Sequence, residues 1–371
     1  MSVALVIGKF YPPHNGHLAL IHRAARHHRA IVLVMAAREE SIALGDRIDW
    51  LRASCSALPN VTVVGVVDDA PVDYHSDSAW AAHSAVIAAT LRVNHLPNPD
   101  VVVSSEGYGP HLAAELRSDC ELFDPDRVGV RVSGTAVRAD LVGRWELLPV
   151  PVRLGLATRV VVVGAESTGT STLAADLYDH YRAIPGNEAM RRVLEYGREF
   201  TYALYDEATD QARRAGQPKP AVEDLTWRPG HFSHIATEQS AREDMAAQAH
   251  PLVIADTDAF ATTVWERRYL GPGSAAAATA GVPEVSPRRL YLVTDHDGVP
   301  FEQDGWRDGE SVRTTMHEWF TDELTAGGHP WVLMRGTRDE RLAYAIRTVD
   351  ALWNRTTTFA SPEWADRTVL G

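Results

Sequence analysis

The sequence predicts an α/β protein made of two consecutive Rossmann-like parallel-sheet domains. Three observations predict it: β-branched runs alternating with helical patterns, a glycine-containing loop after the first run of each series, and one break in the pattern near residues 147–158. Runs that are apolar at every position suit strands covered on both faces, as in parallel sheets. A chain of 371 residues is also long for a single core. The domains are read as 1–146 and 159–371, with 147–158 as a linker.

The first series opens with VALVIG (Val3–Gly8), followed by an amphipathic stretch with Leu18, Ile21 and Ala25 on one face. AIVLVMAA (Ala30–Ala37), VTVVGVV (Val61–Val67) and DVVVSSE (Asp100–Glu106) supply further strands, and the series fades near Arg144. LLPVPVRLGLATR carries two prolines and little periodicity, hence the linker. VVVV (Val160–Val163) opens the second series, and PLVIADTD (Pro251–Asp258), RLYLVTD (Arg289–Asp295) and PWVLMRG (Pro330–Gly336) continue it. Leu342, Ile346, Val349 and Trp353 mark a closing helix. The low-complexity stretch Gly271–Pro287 reads as a loop with one alanine-rich turn.

Composition narrows the function. A formal charge of −13 argues against a general nucleic-acid binder, which needs a basic surface. Two cysteines, Cys55 and Cys120, exclude a disulfide scaffold. No apolar run approaches the roughly 20 residues that span a bilayer, and MSVALVIGKF enters a strand with no leader-like pattern. A cytoplasmic protein is expected. Of the 36 basic residues only Lys9 and Lys219 are lysine, so Lys9, at the end of the first strand, stands out.

GKFYPPHNGHL (Gly8–Leu18) joins strand one to helix one. His14 and His17, with Lys9 and Gly16, converge where a helix start favours an anion. A bare H-x-x-H would read as exposed histidines in a turn; the longer string is more specific. GKFYPPHNGH resembles the H-x-G-H signature of nucleotidylyltransferases, in the form found in nicotinamide mononucleotide adenylyltransferases of the NadR family. VSGTAVR (Val132–Arg138) is similar to that family's I-S-G-T-x-x-R, and SSEGYG (Ser104–Gly109) to its S-S-E-x-Y-G. The resemblance implies an N-terminal nucleotidylyltransferase fold that transfers adenylyl from ATP to nicotinamide mononucleotide, giving NAD. It implies α-phosphoryl contacts from His14 and His17, pyrophosphate contacts from Lys9 and Arg138, and nucleotide contacts from Gly8, Phe10, Gly16, Ser133, Gly134 and Thr135. Trp80, Ser104 and Tyr108 fall where the substrate is held.

The second loop, VVVVGAESTGTST (Val160–Thr172), has the phosphate-loop spacing with Gly164 and Gly169, and Thr170 stands where lysine is usual. Main-chain amides of Glu166, Ser167, Thr168 and Thr172 do not depend on that lysine, and the Ser171 hydroxyl can still hold Mg²⁺. What is lost is the cation between the β- and γ-phosphates. LEYGREF (Leu194–Phe200), ADTDAFATTVW (Ala255–Trp265), VPFEQDGWR (Val299–Arg307) and RGTRDERL (Arg335–Leu342) resemble the nicotinamide riboside kinase domain of NadR proteins. The resemblance implies a P-loop kinase fold. Glu195, Tyr196, Arg198 and Asp304 would face the riboside, Asp256 at its strand end the metal, with Asp256 and Asp258 not divided between the 5′-hydroxyl and the magnesium, Arg307 the phosphates and Arg338 the adenine.

The resemblance implies ATP, Mg²⁺, nicotinamide riboside, nicotinamide mononucleotide and NAD as ligands, with a homo-oligomer plausible. NadR repressors carry an N-terminal helix-turn-helix, which is not expected where Met1 stands two residues from the first strand. Three accounts of Thr170 remain open: Arg307 or Arg313 supplies the charge, Lys219 supplies it, or the second domain senses nucleotide beside a monofunctional adenylyltransferase.

Overall fold

A computed structural model describes residues 2–73, 75–307 and 309–362. The chain divides into two compact units, one of residues 1–156 together with those from Thr357 onward, the other of residues 157–356.

The first unit carries a parallel sheet of order β3-β2-β1-β4-β5. Its strands are β1 (Val3–Gly8), β2 (Arg29–Ala36), β3 (Val61–Val67), β4 (Val101–Ser104) and β5 (Asp119–Leu122). The crossovers are α1 (Asn15–His27), α2 (Leu44–Ser54), α3 (Asp77–Val93) and α4 (Gly109–Leu116), followed by α5 (Gly134–Ala139). The period of two explains why β1 is apolar throughout. Ala4 and Val6 join the core under α1 and α2, while Val3 and Leu5 join the core that holds Ile87, Leu91 and Leu112 of α3 and α4. The order reverses at β1, between β2 and β4, which opens a crevice at the carboxyl ends of these strands.

The second unit carries a parallel sheet of order β7-β6-β8-β9. The strands are β6 (Thr158–Val163), β7 (Leu252–Asp256), β8 (Arg289–Thr294) and β9 (Trp331–Met334). Helices α7 (Thr170–Arg182), α8 (Tyr196–Arg214) and α9 (Pro229–Ala249) separate β6 from β7, with α10 (Ala259–Leu270) and α11 (Ala276–Ala280) after β7. Helix α12 (Arg313–Ala326) lies between β8 and β9, and α13 (Arg338–Thr357) follows. Val160 and Val162 pack under Leu173 and Leu177 of α7 and Val349 of α13. The alanine-rich turn is α11, started by the Glu266 carboxylate, which accepts from the backbone N–H of Ala276 and Ala277.

Two boundaries differ from the sequence reading. The expected linker 147–158 holds a helix, α6 (Val150–Leu156), in the first unit, and Thr158 already belongs to β6. Pro151 sits in the first turn, where its missing N–H costs nothing. Gly155 supplies the reason for the docking, since a Cβ there would strike the Trp50 indole on α2. The other difference is at the C-terminal end. The Tyr11 hydroxyl donates to Ala360 O at 2.5 Å and accepts from Ser41 N, while Ala360 N donates to Ser41 Oγ at 2.6 Å. Among the described residues no helix is long and apolar enough to cross a membrane.

Gly155→Val is expected to destabilise the first unit by about 1–3 kcal/mol, the usual penalty of forcing volume into a packed contact. Denaturant titration of the variant and of Gly155→Val/Trp50→Ala checks this, because shortening Trp50 should return part of the loss.

Candidate functional sites

Each unit holds a large cavity at the carboxyl ends of its strands. In the first unit the cavity has a volume of about 560 Å³, and all the residues expected at this site border it. His14 is the N-cap of α1, and its ring reciprocates with His17. His14 Nδ1 accepts from His17 N at 3.3 Å, and His17 Nδ1 accepts from His14 N at 3.2 Å. The rings stack with centroids 3.5 Å apart. With both Nδ1 lone pairs used, each neutral ring carries its proton on Nε2. The pair is therefore two adjacent N–H donors.

Burial holds the His14 imidazole down at about 4, helped by the nearby Arg127 charge. His17 lies well below its ordinary value, through burial, His14 and Arg127 in that order. Both rings are neutral donors at pH 7 in the free protein. Gly16 is small because a Cβ would press on Val132 and the His14 ring, and at Gly134 it would press on Tyr11 O.

The cations are more constrained than their sequence positions suggest. Lys9 Nζ lies 3.1 Å from Glu40 Oε1. Glu40 also takes Arg47 at 2.6 Å, and the fully buried Arg47 donates to Lys9 O and Ile42 O. Arg138 donates to Tyr11 O at 2.6 Å and lies over the Tyr11 ring. Ser133 caps α5 by accepting from Ala136 N at 3.1 Å. Trp80 is mostly core, tilted against His111 at 4.3 Å, with an edge on the cavity. Ser104 Oγ accepts from Glu106 N, and Tyr108 packs beside Trp80. Sequence reasoning missed Glu40, Arg47 and Arg127, as well as the His83–Asp68 pair at 2.6 Å on the same wall. An isolated Arg in an otherwise charged helix gave no signal that it was buried.

In the second unit the cavity measures about 480 Å³ and is lined by Gly164–Ser167 and Gly169–Thr172. The loop is anchored underneath. Thr168 is fully buried, with Oγ1 2.7 Å from Ala165 O and 2.6 Å from Thr294 Oγ1. Thr294 leaves no room for a Cβ at Gly164. Ser167 and Gly169 take left-handed backbone conformations, φ 61° and 88°, which bend the loop around its own amides. Ser171 and Asp256 border the cavity together, and burial raises the Asp256 pKa while the neighbouring Ser171 hydroxyl draws it down. A hydroxyl beside a buried carboxylate is an oxygen donor set that suits a hard divalent cation.

Glu195 reaches the cavity with its pKa pushed up to about 7, by burial first and then by Asp256. Arg198, also on the cavity, lies 3.9 Å from Glu195 and 3.3 Å from Asp304. Arg307 lines the cavity too, donating to Ser167 Oγ at 3.3 Å, and Asp304 braces it at 3.4 Å. Arg313 is instead consumed structurally, donating to Ser167 O and Val299 O. Lys219 lies over the Tyr205 ring and does not border the cavity.

Four expectations are corrected. Asp304 does not border the cavity and pairs instead with Arg198 at 3.3 Å and Arg307 at 3.4 Å. Asp258 does not border the cavity: it caps α10 through Ala261 N and accepts from Tyr291 Oη at 2.7 Å and Arg289 at 3.1 Å. Arg338 pairs with Asp176 at 2.6 Å, away from the cavity. Tyr196 turns its hydroxyl to His234 and its ring to Arg242. Sequence reading missed the aromatic wall of Trp227, Phe232, Trp265 and Tyr269, in which Trp227 stacks on Tyr269 at 4.9 Å.

Comparison with known proteins agrees with this division. A family model described as cytidylyltransferase-like matches residues 5–139, and one described as AAA domain matches residues 159–341. The class so defined is a cytidylyltransferase-like domain followed by a P-loop domain on one chain. The trifunctional NAD biosynthesis/regulator protein NadR of Salmonella typhimurium is 24% identical over 284 residues, 73% of this chain. The chain spans 63% of that relative's length. A solved NadR protein in complex with NR has a TM-score of 0.53 at 19% identity, covering 94% of this chain and 95% of that one. Another, with NAD and AMP-PNP, has a TM-score of 0.54 at 19% identity, covering 95% and 96%. Fold, domain order and sequence matches together make the chain similar to the NadR proteins over both units.

Because His14 is held near 4 in the fold and lies near 6.5 when unfolded, its contribution is complete above pH 6.5. It is lost as pH falls towards 4, where the unfolded chain takes a proton that the fold refuses. Over that window the wild type should lose up to about 3 kcal/mol more stability than His14→Gln, measured by denaturant titration at each pH.

Proposed function

We propose that the first unit transfers the adenylyl group of ATP to nicotinamide mononucleotide, and that the second phosphorylates nicotinamide riboside with ATP in the cytoplasm. The observation that carries this reading is the pair of reciprocally capped histidines, whose two Nε2–H donors border a cavity of nucleotide size. A 5′-phosphate oxygen of the mononucleotide attacks the α-phosphorus of ATP, the bond to the bridging oxygen breaks, and pyrophosphate leaves with NAD as product. His14 and His17 hydrogen-bond the α-phosphoryl oxygens as charge develops there, and Lys9 and Arg138 face the departing pyrophosphate. Donors already fixed by their own backbone need little reorganisation. No covalent enzyme intermediate is required.

In the second unit the loop amides hold the triphosphate. Ser171 and Asp256 would hold Mg²⁺, which supplies charge neutralisation between the β- and γ-phosphates. The riboside lies against the aromatic wall, where Trp227 and Tyr269 offer flat faces to a cationic pyridinium ring. Glu195, with its pKa near 7, takes the proton of the 5′-hydroxyl as that oxygen attacks the γ-phosphorus and ADP leaves. Arg307 supplies the cation absent at Thr170, since its guanidinium already reaches the loop at Ser167. The product of this unit is the substrate of the first, which gives the pairing on one chain a chemical logic. The names of the NadR relatives, and the NR, NAD and AMP-PNP bound in their solved structures, support the same ligand set.

The missing lysine favours one other reading, a second unit that binds ATP without turning it over. Purified protein given ATP, Mg²⁺ and nicotinamide riboside should form the mononucleotide, and Arg307→Ala should lower kcat at least a hundredfold. Thr170→Lys placed in the Arg307→Ala background should restore part of it. Product formed only after Thr170→Lys would select the sensor reading. For the first unit, His17→Ala should abolish NAD formation while ATP binding is largely kept. Unchanged turnover in that variant would remove the adenylyltransferase assignment.

A further inference from the structure

Beyond the nucleotide cavity, the end of β8 and the start of α12 bring together three side chains with no part in the chemistry above. Asp295 and His296 follow β8 directly, and His317 lies in the second turn of α12. One ligand-type atom from each lies within 4.8 Å of the other two. None of the three borders the phosphate-loop cavity.

The hydrogen bonding around this cluster is incomplete in a particular way. His296 Nδ1 is sealed from solvent 3.4 Å from Asp295 Oδ1 and makes no hydrogen bond; His317 Nδ1 is likewise sealed and unbonded. On the far side of the ring, His296 Nε2 lies 3.2 Å from Thr314 Oγ1. Donation from Nε2–H to that hydroxyl leaves Nδ1 with its lone pair turned to the cluster, the orienting role that outer partners play for ligating imidazoles. The two imidazoles approach with centroids 4.9 Å apart and planes tilted by 48°, so they do not lie flat on one another. Asp295 is buried, accepting from Asp297 N at 3.0 Å on Oδ1 and from Arg335 Nε at 2.8 Å on Oδ2. The Arg335 side chain is 75% exposed and can move aside.

We propose that Asp295, His296 and His317 form a binding site for a divalent transition-metal ion of the zinc class. Imidazole nitrogen suits zinc, cobalt and nickel, whereas magnesium and calcium take oxygen ligands. Two imidazoles and a carboxylate leave one tetrahedral position for water. The ion would join the two ends of the loop that carries Pro300, Glu302, Trp306 and Arg307 on the cavity wall. It would also act on the phosphate loop from behind, because Arg341 donates to both Asp295 O at 3.0 Å and Thr168 O at 2.8 Å. The role is to brace the loop that presents Arg307, not to take part in phosphoryl transfer.

The test reads metal binding rather than turnover, so its outcome is independent of the kinase reading. The full chain is stripped with chelator and titrated with Co²⁺. His14→Ala serves as the background in every arm, which removes the stacked His14–His17 pair as a source of signal. One equivalent should bind with the visible absorption of a four- or five-coordinate nitrogen–oxygen site, and Zn²⁺ should displace it. His296→Gln and His317→Ala should each weaken binding at least tenfold. No uptake by the background protein, or uptake unchanged in both variants, overturns the proposal. Zinc X-ray absorption on the background protein covers the case of a variant that fails to fold. Two imidazoles and a carboxylate are expected there, and an all-oxygen shell would also overturn the site.

Discussion

Parallel pairing on both flanks of a central strand is the constraint from which both sites follow. β1 is held between β2 and β4, and β6 between β7 and β8. Parallel neighbours need crossover helices, and those helices cover both faces. The chain must therefore leave β1 and β6 at the same end, between loops that diverge to either side. Polar main-chain groups at that end cannot pair within the sheet, so they are available to a ligand. His14 and the Gly164–Gly169 loop are two uses of one topological gap. In the first, side chains capped by their own backbone present the donors; in the second, the amides themselves do.

Buried charge keeps both gaps in shape. Beneath the first, Arg47 is fully sealed and spends its donors on Ile42 O, Lys9 O and Glu40. Behind the second, Arg289 pairs with Glu243 and Asp258, Arg159 reaches Glu243 at 2.6 Å, and Tyr291 completes the group. Removing one partner of such a group typically costs about 3–5 kcal/mol, because the other charge is left without compensation. These clusters set the positions of Lys9 and of the β7–α10 turn without touching a substrate. Asp258, two residues from Asp256, thus does a different job from its neighbour: β7 ends at Asp256, Thr257 turns the chain with a left-handed φ of 67°, and Asp258 beyond that turn caps α10 while Asp256 borders the cavity.

What the sequence disclosed and what it hid divide along physical lines. Strands β1, β2, β6 and β8 were readable because burial on both faces leaves an unbroken β-branched run. His14, His17, Gly164 and Gly169 were readable because local spacing alone makes a cap or a loop. Helix α6 was not, since its seven residues are too few to show a period, and they dock through buried Val152 and Leu156 and the fit of Gly155 against Trp50 on a distant helix. The aromatic wall was hidden for the same reason, as Trp227, Phe232 and Tyr269 come from separate segments without a shared period. Arg338 and Tyr196 were misplaced because a motif fixes the position of a backbone, whereas Asp176 and Arg242, brought in by other helices, decide where the side chain goes.

The attachment of Ala360 to Tyr11 and Ser41 changes what kind of fusion this chain is. The P-loop unit enters after Leu156 and leaves before Thr357, so it is a guest inserted near the tail of its host rather than a module appended to it. Two covalent junctions cross the boundary instead of one. Cutting the chain once, after α6, would strip the nucleotidyltransferase-like host of the segment after α13 that steadies Tyr11, whose carbonyl also holds Arg138. Separating the two units therefore calls for excision of the guest and rejoining of the host, with the C-terminal segment left in place.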